Sequence, residues 1–356
     1  MSRLPLRSLR GATITGLGMY VPKKILTNHD LAQMVDTNDQ WIIDRTGIRE
    51  RHIAAPEEAT SDLAVRAARE ALCSAHLSPE TVDLLIVATS TGDTLGFPAT
   101  AAFVQEKLGA TRAAAFDVSA VCSGFTYALD VAVQYIQTGR YDRVLVIGAE
   151  TNSRFVDWTD RSTCVLFGDG AGAVVLEPAE YGAEGVLVSI LGSDGSGAGL
   201  LNIPAGGSRL PMTPELLAEH KNTIYQNGRE VYRFAVEKMG EAALEAVAAA
   251  GLSPADVDLL IPHQANIRII ASAAKRMDLP MEKVVINLDR YGNTSAATIP
   301  IAMAEAWQEG RILPGMILVT VGFGAGLSWG ANVIRWGNLL PPSRPQNEET
   351  AEGENR

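Results

Sequence analysis

The chain has 356 residues, of which 47% are hydrophobic, 6% aromatic and 20% charged, and its net charge is −11. This composition is typical of a globular protein with an ample core, and the negative charge argues against general nucleic-acid binding. Three widely spaced cysteines argue against a zinc site or a disulfide framework, and no apolar run reaches about 18 residues, so we expect a cytoplasmic protein without a membrane span.

Predicted strands and helices alternate along the first half of the chain. In chain order we predict a strand at 12–20, helices at 28–34 and 60–75, a strand at 82–89, a helix at 99–108, a strand at 113–118, a helix at 123–138 and a strand at 144–147. The continuous apolar run at 82–89 is typical of a strand that is covered on both faces. Alternation of this kind predicts an α/β fold.

The second half begins near Val186 and shows the same alternation of predicted strands and helices. Residues 202–226 are predicted to form a long surface excursion, because their polarity is mixed and they hold several Pro and Gly. Beyond them we predict helices at 230–250, 266–277 and 295–307 and strands at 258–262, 284–288 and 316–321. Residues 339–356 are Pro-rich and then acidic, which predicts a disordered tail.

An internal repeat divides the chain into two related units. Residues 77–86 and 252–261 are identical at eight of ten positions, and each stretch follows an Ala- and Glu-rich helix. We therefore predict an N-terminal half at 12–180 and a C-terminal half at 181–338, related by a pseudo-two-fold axis. Ligands of open α/β sheets bind at the carboxyl ends of the strands, so polar residues there are candidate site residues.

Three polar residues stand at strand ends or strand-to-helix turns. Cys122 lies between a predicted strand and a helix, whose N-terminus favours the thiolate. His263 follows a strand, and Asn293 lies next to Gly292 ahead of a helix. Taken singly, each has a structural alternative: a buried core cysteine, a satisfied histidine, and a turn or cap residue. Together they supply a nucleophile and two hydrogen-bond donors, which suit thioester chemistry with a stabilised oxyanion.

Six motifs in the chain resemble those of one enzyme family. They are 41–51 (WIIDRTGIRER), 117–125 (DVSAVCSGF), 167–173 (FGDGAGA), 262–268 (PHQANIR), 291–296 (YGNTSA) and 322–330 (GFGAGLSWG). With them the sequence resembles the thiolase-superfamily condensing enzymes, and most closely the β-ketoacyl-acyl-carrier-protein synthase III family. Asn293 separates it from the elongating synthases, which carry a second histidine, and from thiolases, which carry a second cysteine. Chalcone-synthase-like enzymes share the Cys-His-Asn set, but they fit 41–51 and 262–268 less well.

The resemblance implies a thiolase-like α/β fold, in which two halves form a five-layered αβαβα core, and a decarboxylative condensation. Cys122 would take the acyl group of an acyl-CoA primer, while the backbone N–H groups of Cys122 and Ala325 hold the oxyanion. His263 and Asn293 would donate to the thioester oxygen of malonyl-acyl carrier protein as carbon dioxide leaves, and Phe323 would pack near the thiol. An alanine stands at 325 where a glycine is common. No metal is implied, and no cofactor apart from the coenzyme A thioester as substrate.

The resemblance also assigns substrate-binding residues. Trp41 and Arg161 resemble the pair that sandwich the adenine of CoA, and Arg45 resembles the residue that meets its phosphates. Phe97 matches the residue that crosses a homodimer interface to close the partner's acyl pocket.

Two alternatives to this function stay open: a relative that passes the acyl group to an oxygen or nitrogen acceptor, and a non-catalytic scaffold on the same fold. The sequence leaves open the length and branching of the primer.

A basic surface matches the family's docking site for the acidic acyl carrier protein. Arg268, Lys275 and Arg276 are spaced to share one face of a predicted helix. In the family this helix contacts the carrier protein together with a residue that matches Arg233. The structural alternative is an ordinary solvated helix face. Arg229 stands where the family often has a small polar residue, and its role is left open.

Overall fold

The described part of the chain, residues 9–342 of a computed structural model, forms thirteen strands and ten α-helices. The strands are β1 (Gly11–Tyr20), β2 (Lys24–Thr27), β3 (Glu50–Ile53), β4 (Leu84–Ala88), β5 (Ala114–Val118), β6 (Val144–Thr151), β7 (Asp169–Ala179), β8 (Gly185–Ser193), β9 (Leu201–Asn202), β10 (Tyr225–Gln226), β11 (Leu259–Pro262), β12 (Ile317–Gly324) and β13 (Ser328–Arg335). The helices are α1 (Asn28–Leu31), α2 (Asp39–Thr46), α3 (Thr60–Ser74), α4 (Thr100–Leu108), α5 (Gly124–Gln137), α6 (Pro214–Ala218), α7 (Gly228–Ala249), α8 (Ile267–Arg276), α9 (Leu288–Tyr291) and α10 (Thr298–Gln308).

Two large sheets form the frame of the molecule. The first has the strand order β1-β7-β6-β4-β5, and β4 runs parallel to both β5 and β6. The second has the order β11-β12-β13-β8, with β11 parallel to β12. The strands of the first sheet lie within residues 11–179 and those of the second within residues 185–335. The division of the chain into halves at residue 180 stays a prediction.

Helices cover both faces of each sheet. Helices α3 and α4 pack on the outer face of the first sheet, and α7 and α8 pack on the outer face of the second. Helices α5 and α10 lie between the two sheets. The layers therefore follow the predicted order αβαβα.

Strand β4 illustrates how the sequence encodes these layers. Leu84 and Ile86 contribute to the core between the sheets, whereas Leu85 and Val87 contribute to the core under α3 and α4. Side chains alternate between the faces of a strand, so a strand buried on both faces is apolar at every position. Complete burial of each such side chain stabilises the fold by roughly 1.5–3 kcal/mol.

The prediction of a strand at 284–288 is wrong. The N–H of Val285 donates to the carbonyl oxygen of Leu260 at 2.9 Å, so the chain begins to pair with β11. The amide of Gln264 then replaces the strand partner: Nε2 donates to the Val285 carbonyl at 3.0 Å, and Oε1 accepts from the N–H of Asn287 at 3.1 Å. Because a side chain satisfies this backbone, the apolar run does not extend the sheet.

The excursion predicted at 202–226 has structure of its own. Strands β9 and β10 pair at its ends, and α6 lies between them. The N–H of Ile224 donates to the Phe155 carbonyl at 2.8 Å, and Nδ1 of His220 lies 2.8 Å from the carboxylate of Asp157. These contacts hold the excursion against the loop that follows β6. Helix α2 and strands β7 and β13 lie outside the predicted elements, and residues 343–356 of the predicted tail lie outside the described residues.

Candidate active site

Cys122 lies on a tight 3₁₀ turn (Val121–Ser123) that joins β5 to α5. Val121 has a φ of +47°, and strand β12 packs directly against the turn. A Cβ on Gly324 would come within 2.7 Å of the Cys122 backbone nitrogen, so only glycine allows this approach. Cys122 is 5% exposed.

Burial controls the protonation state of Cys122. It raises the pKa of the thiol to about 12, and the charge of Glu150 adds to this rise. The predicted preference for the thiolate is therefore wrong, because desolvation outweighs the nearby start of α5. The resting residue is a thiol, and it must lose a proton before the sulfur can attack.

His263 is held at the carboxyl end of β11. Its backbone N–H donates to the Val321 carbonyl at 2.8 Å, and its ring Nδ1 lies 2.7 Å from Oγ1 of Thr298. The residue is 2% exposed, and burial lowers the pKa of the imidazole to about 3. The ring is therefore neutral near pH 7 and has one N–H to donate.

Asn293 is fixed by backbone and side-chain contacts. Its N–H donates to the Leu166 carbonyl at 2.9 Å, and its carbonyl accepts from the N–H of Gly168 at 3.0 Å. Its side-chain Oδ1 accepts from the N–H of Ser295 at 2.8 Å. With the oxygen engaged, the NH₂ group of the carboxamide is the part left to donate to a ligand.

One cavity of about 520 Å³ brings the three predicted residues together. Cys122, His263 and Asn293 all line it, although they come from three separate parts of the chain. Phe323 and Ala325, predicted as site-lining residues, line it as well. Cys122 follows β5 of the first sheet, His263 follows β11 of the second, and Asn293 lies on the turn before α10, so a sulfur, an imidazole and a carboxamide share one cavity.

The predicted CoA-binding residues lie along the same cavity. The guanidinium of Arg45 stands 4.3 Å from the centre of the Trp41 ring, and that of Arg161 stands 4.9 Å from it. Arg161 also donates to the Asp36 carbonyl at 2.6 Å. A planar aromatic surface with two cations is suited to a base and its phosphates.

Phe97 does not line the cavity of its own chain. The residue is 88% exposed, on the loop that precedes α4. Nearby, β5 is the edge strand of the first sheet, and Leu95 is exposed as well. An exposed aromatic ring beside an edge strand is typical of a surface that pairs with another chain.

The predicted carrier-protein residues differ in whether they already bond to other residues of the chain. Arg276 forms an ion pair with Glu241 at 2.8 Å on the neighbouring helix α7, and Arg233 pairs with Glu230. The guanidinium of Arg268 donates to the Asp44 carbonyl at 2.5 Å. Lys275 is exposed on α8.

No site role was predicted from the sequence for three polar residues: Glu150, Ser295 and Thr298. Ser295 lines the cavity and begins the turn that follows Asn293, Thr298 is the first residue of α10, and Glu150 lies near the end of β6. All three are buried. The available signal was a charged residue at the carboxyl end of an otherwise apolar strand, where ligands of α/β sheets bind.

Within residues 9–342, no cluster of three or more His, Cys, Asp or Glu side chains is arranged to hold a metal ion. The same part of the chain contains no helix that is both long and apolar enough to cross a bilayer.

A thiol, an imidazole and a carboxamide that meet between two stacked α/β sheets define a thiolase-like condensing enzyme. Family models for 3-oxoacyl-[acyl-carrier-protein] synthase III match residues 116–195 and, for its C-terminal part, residues 247–336. The chain is 58% identical over 92% of its length to beta-ketoacyl-[acyl-carrier-protein] synthase III of Symbiobacterium thermophilum, and the match covers 99% of that protein. The chain belongs to the β-ketoacyl-[acyl-carrier-protein] synthase III family.

Solved structures of the family resemble the chain closely. The synthase III of Aquifex aeolicus is 47% identical with a TM-score of 0.84, and the match covers 92% of this chain and 100% of that one. The synthase III of Pseudomonas aeruginosa is 43% identical with a TM-score of 0.86, covering 93% and 100%. The predicted thiolase-like fold and the predicted family are confirmed. OleA of Xanthomonas campestris, at 21% identity and a TM-score of 0.79, shares the fold.

Proposed function

We propose that the chain condenses an acyl-CoA primer with malonyl-acyl carrier protein through an acyl-Cys122 intermediate, and so initiates fatty-acid synthesis. The observation that carries this proposal is the meeting of Cys122, His263 and Asn293 in one cavity. The products are a 3-ketoacyl-acyl carrier protein, CoA and carbon dioxide. The CoA thioester is a substrate, and we propose no other cofactor.

The first half-reaction moves the acyl group to sulfur. Cys122 loses its proton, and its sulfur attacks the thioester carbonyl of the primer. The backbone N–H groups of Cys122 and Ala325 hold the negative oxygen of the tetrahedral intermediate. CoA leaves as a thiolate and takes up a proton. Removing one donor from an oxyanion site typically costs roughly 3 kcal/mol of transition-state stabilisation.

The second half-reaction uses the neutral imidazole. His263 and the NH₂ group of Asn293 donate to the thioester oxygen of the malonyl group. As carbon dioxide leaves, the electron pair of the broken bond forms an enolate that these donors stabilise. The enolate carbon attacks the acyl-Cys122 carbonyl, and the cysteine sulfur leaves. Burial supports this assignment, because it keeps His263 neutral, with one N–H to donate, near pH 7.

The proposal also covers the binding of CoA and of the carrier protein and the assembly of a homodimer. Trp41, Arg161 and Arg45 would bind the adenine and phosphates of CoA at the mouth of the cavity. The acidic carrier protein would dock on the basic residues of α7 and α8, which stand out on a chain of net charge −11. The exposed ring of Phe97, near the edge strand β5, supports a homodimer in which Phe97 closes the partner's pocket. We place this activity in the cytoplasm.

Two measurements test the proposal. The protein is incubated with acetyl-CoA, and its intact mass is compared with that of Cys122→Ala: we expect an acetyl adduct only on the wild type. Malonyl-acyl carrier protein is then added, and we expect release of carbon dioxide and loss of the adduct. An adduct that survives Cys122→Ala would refute the nucleophile. Transfer of the acyl group to an oxygen or nitrogen acceptor without carbon dioxide would favour the alternative enzyme.

A further inference from the structure

Glu305 of α10 is the centre of a hydrogen-bond network that holds helix α9. Its side chain is 12% exposed and does not line the cavity. Oε1 accepts from Nη1 of Arg290 at 2.6 Å and from the hydroxyl of Tyr291 at 2.7 Å, and Oε2 accepts from Nη2 of Arg290 at 2.9 Å and from Nδ2 of Asn287 at 2.9 Å. Both carboxylate oxygens are therefore occupied, and these donors belong to α9 or to the residue that precedes it.

Helix α9 leads directly into the turn that carries Asn293. Tyr291 is the last residue of the helix, and Gly292 follows with a φ of +63°. A Cβ on Gly292 would come within 2.9 Å of the Leu166 carbonyl oxygen, so a side chain does not fit there. The same carbonyl accepts from the N–H of Asn293 at 2.9 Å. Because this connection is short and closely packed, the placement of α9 determines the placement of the Asn293 carboxamide.

The same network reaches the segment that carries His263. The N–H of Asn287 donates to Oε1 of Gln264 at 3.1 Å. Gln264 is 1% exposed, follows His263 directly, and donates through Nε2 to the Pro262 carbonyl at 2.7 Å. Hydrogen bonds therefore connect the two segments that carry the proposed donors to the enolate oxygen.

We propose that Glu305 is a positioning residue for the second half-reaction: through this network it fixes the imidazole of His263 relative to the NH₂ group of Asn293. Both groups donate to one thioester oxygen in the proposed function, on which this inference rests, so their separation decides how well they stabilise the enolate. The first half-reaction depends instead on Cys122 and on backbone N–H groups of other elements. A loss of positioning should therefore slow the second half-reaction and spare the first.

The experiment compares Glu305→Gln with the wild type in both half-reactions. Glutamine keeps the size of glutamate but turns one acceptor oxygen into an NH₂ group, which then faces the donors of Asn287 or Arg290. We expect kcat for the release of carbon dioxide from malonyl-acyl carrier protein to fall roughly 10-fold or more. The rate of acetyl transfer to Cys122, followed by intact mass, should stay unchanged. An unchanged kcat would overturn the proposal, as would a parallel loss in both half-reactions, which is the result expected if the network only stabilises the fold.

A second substitution tests the contact between Glu305 and Asn287. In Glu305→Gln two NH₂ groups oppose each other, and Asn287→Asp returns an acceptor to that contact. The double variant should therefore release carbon dioxide faster than Glu305→Gln alone. Asn287→Asp alone sets two carboxylates against each other and should be slower than the wild type. Losses that simply multiply in the double variant would overturn the role of this contact.

Glu177→Gln is the matched control. Glu177 accepts from Nε of Arg143 at 3.2 Å, and its side chain is 26% exposed. The substitution removes the same charge beside an arginine, on β7 instead of α10, and neither Glu177 nor Arg143 lines the cavity. Both half-reactions should keep the wild-type rate. A loss equal to that of Glu305→Gln would mean that removal of any such charge is enough, and would overturn the proposal.

Amide hydrogen exchange, read by mass spectrometry, tests the positioning without a substrate. In Glu305→Gln the amides of 288–293 should exchange faster than in the wild type, while those of 121–125 should not change. Unchanged exchange at 288–293 would overturn the proposal. If the wild type releases no carbon dioxide, the proposed function fails, whereas faster exchange at 288–293 would still support the placement of Asn293 by Glu305.

Discussion

The imidazole Nδ1 of His263 lies 2.7 Å from Oγ1 of Thr298, and that hydroxyl oxygen lies 2.9 Å from the carbonyl oxygen of Ser295. A hydroxyl has one proton and can donate to only one of them, and here it donates to the Ser295 carbonyl, which can only accept. The proposed decarboxylation needs the ring proton on Nε2, and that tautomer requires Thr298 to turn its proton from the carbonyl to Nδ1. We therefore propose that Thr298 is a positioning residue that selects the tautomer.

Thr298→Val should therefore slow decarboxylation while sparing acyl transfer. Valine keeps the shape of threonine, so the pocket stays filled, but the ring loses the donor that fixes its tautomer. We expect roughly 10-fold slower release of carbon dioxide from malonyl-acyl carrier protein, in line with the loss of about 1.4 kcal/mol for one hydrogen bond. Thr298→Ser retains the hydroxyl and should restore most of the rate. Equal losses in the two variants would assign Thr298 a packing role.

Asn293→Asp should slow the second half-reaction more than Thr298→Val does. The aspartate can still accept from the N–H of Ser295, but it places a negative charge where the enolate oxygen develops. We expect the condensation rate to fall at least 10²-fold. Acylation of Cys122 by acetyl-CoA, followed by intact mass, should persist. Loss of both half-reactions together would mean that the turn carrying Asn293 had collapsed.

Local signals predicted the buried strand and the three candidate site residues, whereas the order of the layers came from the family resemblance. The apolar run predicted as a strand at 82–89 contains β4, which is buried on both faces, and Cys122, His263 and Asn293 occupy strand ends or turns within recognisable motifs. Glu150 could not be assigned in the same way. Its hydrogen bond from the cavity-lining Ser295, which is 145 residues away along the chain, exists only in the assembled fold. The thiol's protonation was likewise mispredicted, because burial is a property of the assembled fold.

Stability should respond to the titration of His263. The imidazole pKa is about 3 in the folded chain and 6.5 when unperturbed, so between these values the unfolded chain binds the additional proton. The free energy of unfolding should thus fall as the pH drops below about 6.5, by roughly 1.4 kcal/mol per unit from this residue. His263→Asn should lose about 2 kcal/mol less than wild type between about pH 7 and pH 5 in urea unfolding. Parallel losses in both proteins would contradict the buried, neutral ring.

Trp41 and Arg161 should determine affinity for the CoA moiety without affecting the chemistry. Trp41→Ala removes the ring that both guanidinium groups face, and we expect KM for acetyl-CoA to rise about 10-fold, with kcat little changed. The KM for a truncated acyl thioester without adenine should not change. Arg154→Ala is a suitable control, because Arg154 donates to the Ala55 carbonyl at 2.7 Å and does not line the cavity. An equal rise in KM for both thioesters would place Trp41 outside the adenine site.

Docking of the carrier protein should depend more on the exposed Lys275 of α8 than on Arg276, which already forms an ion pair. Lys275→Glu reverses an exposed charge, and we expect KM for malonyl-acyl carrier protein to rise several-fold, with an effect that weakens as salt is added. Arg276→Ala should have a smaller effect, because Arg276 is already paired with Glu241 at 2.8 Å. Arg140→Glu, beyond the end of α5 that is remote from Cys122, is the matched charge reversal and should leave KM unchanged. Malonyl-CoA lacks the protein surface, so its turnover should be the same in all three variants, and a change there would mean that α8 acts on the chemistry itself.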